Sequence, residues 1–380
     1  METKVRVAIL SNGISPHTIN RLNLFETSSK LEIYFLHQSY LVVNHSSIPT
    51  ERFIQWPIKN GRNYLERGFI AIKIMIQNVK NINKIKPDVI FIMYGEKLSL
   101  LSALFSKIPY VISAWGGDFL VEQGAQKTWK SRFILKLGVK NAKHIFAVSE
   151  ELVHTISKLR GDNQLPAIQH AYYGIDLNLY QLKSAEKSKD FIIYAPRWCR
   201  PEYNLLGLLH AFYIYTGLNT QATLLFRNTD MNDSKLAFDY LQEANGLIQK
   251  YKIADRVKTI GVLSEKEHIK SLEKASVIIS LAPSDGTPVT ILEAMALGKI
   301  VVCGRINSLE KLIDDGKTGF LVDLNNPNEI AEKLNYIYQN FENLENYIGQ
   351  NARKFVEQKA NIHKEIEIYI DKLYSVGISK

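Results

Sequence analysis

Cysteine is nearly absent: Cys199 and Cys303 are the only two in 380 residues, far apart and without metal-ligand spacing. That excludes a disulfide scaffold and fits a reducing compartment, with both thiols read as buried and inert. Long apolar runs are missing too. The most apolar stretches, GFIAIKIMI (68–76) and VIFIMYG (89–95), are too short or too charged to span a bilayer. The opening METKVRVAIL has neither the apolar core nor the cleavage site of a signal peptide, so the expectation is a cytoplasmic protein. No G-x-G-x-x-G occurs, and GKT at 316–318 lacks the upstream Gly of a P-loop because position 311 is Lys. With neither H-E-x-x-H nor paired C-x-x-C, no metal site is expected. A dinucleotide-dependent dehydrogenase, a P-loop NTPase and a zinc hydrolase are thereby disfavoured.

What remains is an ordinary globular composition, 46% hydrophobic and 22% charged, in a chain long enough for two domains. Its net charge of +9 is unevenly placed. Residues 1–180 hold 22 Lys+Arg against 13 Asp+Glu, and residues 181–380 hold 25 of each. The first half is therefore expected to face something anionic: nucleic acid, a membrane surface or a phosphorylated substrate.

Apolar β-branched runs at 5–10, 31–36, 88–93, 110–114 and 144–149 alternate with segments of helical period. The pattern repeats at 190–195, 222–227, 257–261, 277–281, 300–303 and 319–322. This alternation predicts an α/β protein of two Rossmann-like units in tandem. We place the first domain at 1–175, the second at 190–360, and a closing helix at 361–380 that packs back on the first. The ligand of such a design is expected in the cleft, outside the carboxyl ends of the strands.

The segment SDGTPVTILEAMALG (284–298) puts one carboxylate, Asp285, in a Gly/Pro turn and another, Glu293, inside an apolar helix. Thr287 suits the cap, Pro288 the first helical position and Gly298 the stop. The turn then offers backbone N–H groups and a helix dipole to an anion such as a diphosphate. Asp285 and Glu293 would accept hydrogen bonds from sugar or ribose hydroxyls on its two sides. Spacing alone leaves open an ordinary strand-turn-helix, with Asp285 holding its turn and Glu293 on a solvated face.

Residues 284–298 resemble the E-x7-E signature of the retaining family 4 (group 1) glycosyltransferases of GT-B fold, with Asp285 where that family usually has Glu. The likeness runs through 255–302 and 308–322, and includes YYGIDLNLY (172–180) and IFAVSEEL (145–152). It implies that Glu293 binds the ribose of a nucleotide-sugar donor, Asp285 binds the transferred sugar, and the backbone of Gly286, Thr287, Pro288, Val289 and Thr290 holds the diphosphate. Arg197, in YAPRWCRPEYN (194–204), matches the family's diphosphate-binding Arg; Tyr203 stands where its Lys is usual, and Arg200 is the candidate substitute. A leaving nucleoside diphosphate needs such cations. In the first half, Gly13 allows close backbone approach to a ligand, and His17 is a candidate base or hydrogen-bond partner on the acceptor side. SAWGGDF (113–119) resembles the family's H-G-x-D segment with Trp115 in place of His. Asp118, Gly116 and Gly117 are candidate sugar or acceptor contacts and Trp115 a stacking platform, against the alternative of a tight turn with a core Trp.

Arg132, Lys136, Lys140 and Lys143 recur at helical spacing beside Trp129. The stripe suits anionic lipid headgroups, with a solvated helix face as the alternative, and no nucleic-acid motif accompanies it. The resemblance implies a metal-independent glycosyltransferase, and the basic first half adds the expectation that it is peripheral at the inner face of the cell membrane. It would move a sugar from a nucleotide-sugar donor to a glycan or lipid-linked acceptor, with the retention that the family resemblance implies, in cell-surface polysaccharide or glycolipid synthesis. Two alternatives stand beside it: a nucleotide-sugar epimerase of the same fold, and a non-catalytic sugar-nucleotide-binding subunit suggested by Tyr203 and Trp115.

Overall fold

Each apolar β-branched run forms a strand, and these strands assemble into two parallel sheets. The computed structural model describes residues 4–11, 16–37, 48–55, 64–120, 128–161, 168–182, 190–218, 221–228 and 234–379. The chain divides into one unit of Met1–Tyr173 with Ile362–Lys380 and another of Gly174–Asn361.

The first unit runs β1 (Val5–Ser11), α1 (Pro16–Glu26), β2 (Leu31–His37), β3 (Phe53–Gln55), α2 (Tyr64–Ile85), β4 (Val89–Met93), α3 (Lys97–Ser106), β5 (Tyr110–Ala114), α4 (Trp129–Asn141), β6 (His144–Ala147), α5 (Glu150–Arg160) and β7 (Ile168–His170). Its strand order is β3-β2-β1-β4-β5-β6-β7, all parallel. Such a sheet is covered on both faces, which is why β4 and β5 are buried along their whole length and lack polar alternation. Right-handed crossovers toward β3 and toward β7 put α1 on one face and α2 to α5 side by side on the other.

The second unit runs β8 (Phe191–Trp198), α6 (Leu205–Leu218), β9 (Ala222–Arg227), α7 (Lys235–Lys250), β10 (Val257–Ile260), α8 (Glu265–Lys274), β11 (Val277–Ser280), α9 (Val289–Ala296), β12 (Ile300–Gly304), α10 (Asn307–Glu310), β13 (Phe320–Val322), α11 (Pro327–Gln339) and α12 (Phe341–Lys359). Its order is β10-β9-β8-β11-β12-β13. Cys199 and Cys303 are both buried and free, and burial pushes the Cys199 thiol up to about 12.

The last helix, α13 (Ile362–Ile378), belongs to the first unit. Ile362, Ile366, Tyr369 and Leu373 recur every three or four residues, and this apolar stripe packs with α1 onto β1, β4 and β6. Beside it a buried ion pair, Arg21 Nη2 to Glu365 Oε2 at 2.8 Å, joins α1 to α13. The Tyr173 ring lies 3.7 Å from that guanidinium.

Two local expectations change. Helix α9 begins one residue late: Pro288 is its cap rather than its first residue, and no side chain caps it. Thr287 therefore lies outside the capping position and belongs to the turn. Helix α4 ends at Asn141, so Lys143 lies beyond the stripe of Arg132, Lys136 and Lys140.

Candidate functional site

In the second unit β8 and β11 are neighbours, Val277 opposite Ile193 and Ile278 opposite Tyr194. The chain leaves β8 toward β9 but leaves β11 toward β12, in opposite directions across the sheet. A switch of this kind opens a crevice beyond the carboxyl ends of the two strands. Arg197 is the last residue but one of β8, and the turn carrying Asp285 follows β11, so the topology brings together residues nearly ninety positions apart in sequence.

Arg197 Nη2 lies 3.1 Å from Asp285 Oδ2. The guanidinium also sits over the Tyr203 ring, 4.2 Å from its centroid, so the residue that departs from the family pattern holds Arg197 from behind. Asp285 is buried; burial pushes its carboxyl pKa up, while Arg197 and the Gly286 amide oppose the shift. Gly286, Thr287 and Pro288 are buried in the turn, and Val289 and Thr290 are half-buried in the first turn of α9. Arg200 opens the one-turn 3-10 helix Pro201–Tyr203, three residues on from Arg197.

Glu293 is 1% exposed, so the solvated helix face is not its setting. Tyr180 donates its hydroxyl to Oε1 at 2.6 Å, and His268 Nε2 lies 2.9 Å from Oε2. The local sequence explains both partners. Ser264 and Glu267 form a capping box that starts α8 and sets His268 in its opening turn. Arg353 of α12 donates Nη1 to the carbonyls of Tyr180 and Ala296, which fastens the Tyr180 loop to the end of α9. Near this carboxylate, Glu265 is pushed up by burial, then by Glu293 and Asp176. Burial also raises Tyr194, to about 12, with Glu293 adding to the shift. Among the described residues, Tyr194 OH, His268 Nδ1 and Thr290 Oγ1 are buried polar atoms without a hydrogen-bond partner. Such atoms ask for a polar ligand.

In the first unit the switch lies between β1 and β4. Gly13 lies outside the described residues, and of His17 only its place in α1 is described. The Asp118 carboxylate accepts from the backbone N–H of Gly95 at 2.7 Å, Gly116 at 2.8 Å and Trp115 at 3.1 Å. It ties the turn after β5 to the loop after β4, a positioning role. Gly116 turns the chain at φ +128°, and Gly117 is half-buried beside it. Trp115 packs against the core, donates Nε1 to Ser113 Oγ at 2.9 Å and meets the Tyr173 ring edge-on.

Three residues stand at these sites that the sequence does not single out: Tyr180, His268 and Glu96. Burial lifts the Glu96 carboxyl to about 7, with Asp118 adding to it and Lys97 opposing. Next to it Tyr94 sits at φ +74°, strain of a kind that collects at functional loops. The one signal for Glu96 is its place at the cap of α3, three residues beyond the end of β4. Arg132, Lys136, Lys140 and Lys143 are exposed. Among the described residues no group of three or more His, Cys, Asp or Glu is placed to hold a metal ion, and no helix is long and apolar enough to cross a membrane.

Comparison with known proteins bears on the same segments. The family model described as glycosyl transferases group 1 matches residues 181–355, and that described as glycosyl transferase 4-like matches 6–149. An uncharacterised glycosyltransferase of Methanocaldococcus jannaschii is 24% identical over 256 residues, 65% of this chain and 63% of its own. The N-acetyl-alpha-D-glucosaminyl L-malate synthase of Bacillus anthracis is 23% identical over 253 residues, 64% of this chain and 62% of its own. The chain thus spans less than two thirds of these relatives' length. Among solved structures, Anabaena HepE in complex with UDP and glucose superposes with a TM-score of 0.75 at 16% identity, over 98% of this chain and 100% of that one.

Proposed function

The chain belongs to the group 1 glycosyltransferases and has their GT-B fold, and from that premise we propose that it moves a hexosyl group from a nucleoside-diphosphate sugar to a hydroxyl of a glycan or lipid-linked acceptor. The observation that carries this reading is the Arg197–Asp285 pair at the β8/β11 switch, with Glu293 on the helix that follows. A diphosphate arriving at the start of α9 competes with Asp285 for Arg197. The exchange leaves the cation on the anion and frees a carboxylate for sugar hydroxyls. Glu293, held by Tyr180 and His268, presents a fixed acceptor to the ribose diol.

In the step itself the bond from the anomeric carbon to the diphosphate oxygen breaks as the acceptor oxygen attacks from the same face. The departing diphosphate takes the acceptor proton, and configuration is retained. Arg197 neutralises the charge that develops on the leaving group, so the scheme asks for no metal ion. HepE's complex with UDP and glucose makes UDP-glucose the first donor to try. The exposed cations of α4 support a peripheral enzyme working on an anionic surface in cell-surface glycan or glycolipid synthesis.

The test is turnover. Each nucleotide sugar is incubated with lipid-linked and free glycan acceptors, nucleoside diphosphate release is followed, and the anomeric configuration of the product is read by NMR. Acceptor-dependent release with retained configuration is expected, unchanged by chelator and lost in Arg197→Gln. Conversion of donor without any acceptor would point to epimerase chemistry instead, and an inverted product would contradict the same-face scheme.

A further inference from the structure

The outer faces of α2 and α4 combine two features that a water-facing helix rarely shares. On α4, Trp129, Phe133 and Leu137 follow at four-residue spacing, Trp129 73% and Phe133 61% exposed. On α2, Phe69, Ile72 and Ile76 form a second ridge, with Phe69 74% and Ile72 54% exposed. Helix α3 packs against both, so the two ridges belong to one layer of the first unit. Scattered exposed apolar residues are ordinary; two aligned ridges on one layer are not.

The charges around them are of one sign. Helices α2, α3 and α4 together hold nine Lys and Arg and a single acid, Glu66. Arg132, Lys136 and Lys140 run beside the Trp129 ridge, and Lys73 and Lys80 beside the Phe69 ridge, all exposed. Trp129 and Phe133, and Phe69 and Ile72, lie in the amino-terminal halves of their helices. In a right-handed crossover those halves lie at the carboxyl edge of the sheet, the edge that carries the Asp118 turn.

We propose that this face docks on an anionic lipid bilayer, with Trp129, Phe133, Phe69 and Ile72 entering the interface while the flanking cations engage phosphate headgroups. The proposal deepens the reading of a lipid-linked acceptor and rests on it: the carboxyl edge of the first sheet is presented to the surface from which such an acceptor arrives. An aromatic ridge inside a field of Lys and Arg is the composition of an interfacial helix. A second copy of the same face is a poor partner, because like charges would meet across the contact.

Sedimentation of the full chain with vesicles tests it, comparing phosphatidylcholine alone with equimolar phosphatidylcholine and phosphatidylglycerol. The wild type is expected on the mixed vesicles and not on the neutral ones. A variant carrying Phe69→Ser, Trp129→Ser and Phe133→Ser keeps every cation and should bind about tenfold more weakly for each ring removed. Because the rings are exposed, its melting temperature should match the wild type. Ring-variant binding equal to wild type, wild-type binding to both vesicles alike, or binding to neither would overturn the proposal. So would a wild-type dimer that the ring variant disperses without any change in vesicle binding. Donor binding measured without vesicles stands apart: if it holds while docking fails, only this inference falls.

Discussion

In the proposed reaction Arg197 exchanges Asp285 for the diphosphate of the donor. The two form an ion pair at 3.1 Å in which the buried Asp285 Oδ2 still accepts no hydrogen bond, and the Tyr203 ring packs on the guanidinium. Replacing Arg197 with Gln removes one charge-assisted contact to a diphosphate. Nucleoside-diphosphate affinity, read by calorimetry, should fall by about 10- to 100-fold, since such contacts contribute about 1.5–3 kcal/mol. Tyr180→Phe leaves Glu293 with one fewer donor in a buried site; a loss of about 1–3 kcal/mol in stability is expected by urea denaturation, together with weaker donor binding. Glu96 gives a pH prediction. Its folded pKa, about 7, lies above the ordinary 4.5, so its contribution to stability is fully present below pH 4.5 and is lost as pH rises through 7. Glu96→Gln should therefore be more stable than wild type at pH 8, by up to about 3 kcal/mol, and gain nothing at pH 4. An equal difference at both would contradict the burial account. At this scale the sequence was informative where spacing is short. Asp285 and Glu293 lie on one turn-helix segment, whereas Tyr180 and His268 reach Glu293 across separations of 113 and 25 residues, which no local pattern records.

Among the elements, strands with a strong apolar run are legible, the edge strands β10 and β13 included, whereas the edge strands β3 and β7 of the first sheet are not. β4 and β5 are buried throughout and read directly as core strands. β3 and β7 have three residues each and pair along one side only, too brief to show a period. Helix ends behave similarly: the start of α9 shifts by one residue because Pro288 takes the cap, and α4 stops short of Lys143. The ion pair between α1 and α13 supplies a test of packing. Glu365→Ala leaves the Arg21 charge buried and should destabilise the first unit by about 3–5 kcal/mol, while Arg21→Met with Glu365→Leu should recover most of that. A double variant as unstable as the single one would mean that packing beside Tyr173 and Trp115, not charge, is what the pair provides.

For the molecule as a whole, the alternation of strands and helices predicts two Rossmann-like units, and the charge count separates a basic first half from a neutral second half. The aligned apolar ridges were not legible as a surface, since exposure depends on which side of each helix meets the sheet. The closing helix is also a property of the whole: its apolar stripe completes a core laid down by β1, β4 and β6. Removing residues 362–380 should uncover that core and yield aggregated protein, as judged by gel filtration. Whether the residues around Asp285 bind a nucleoside-diphosphate sugar is decided by thermal shift against a panel of nucleotide sugars, with wild type and Glu293→Ala side by side. A raised midpoint is expected for the wild type with one nucleotide, UDP-sugars first, and none for the variant. An unchanged wild-type midpoint with every donor, or an equal rise in a folded variant, would contradict binding there.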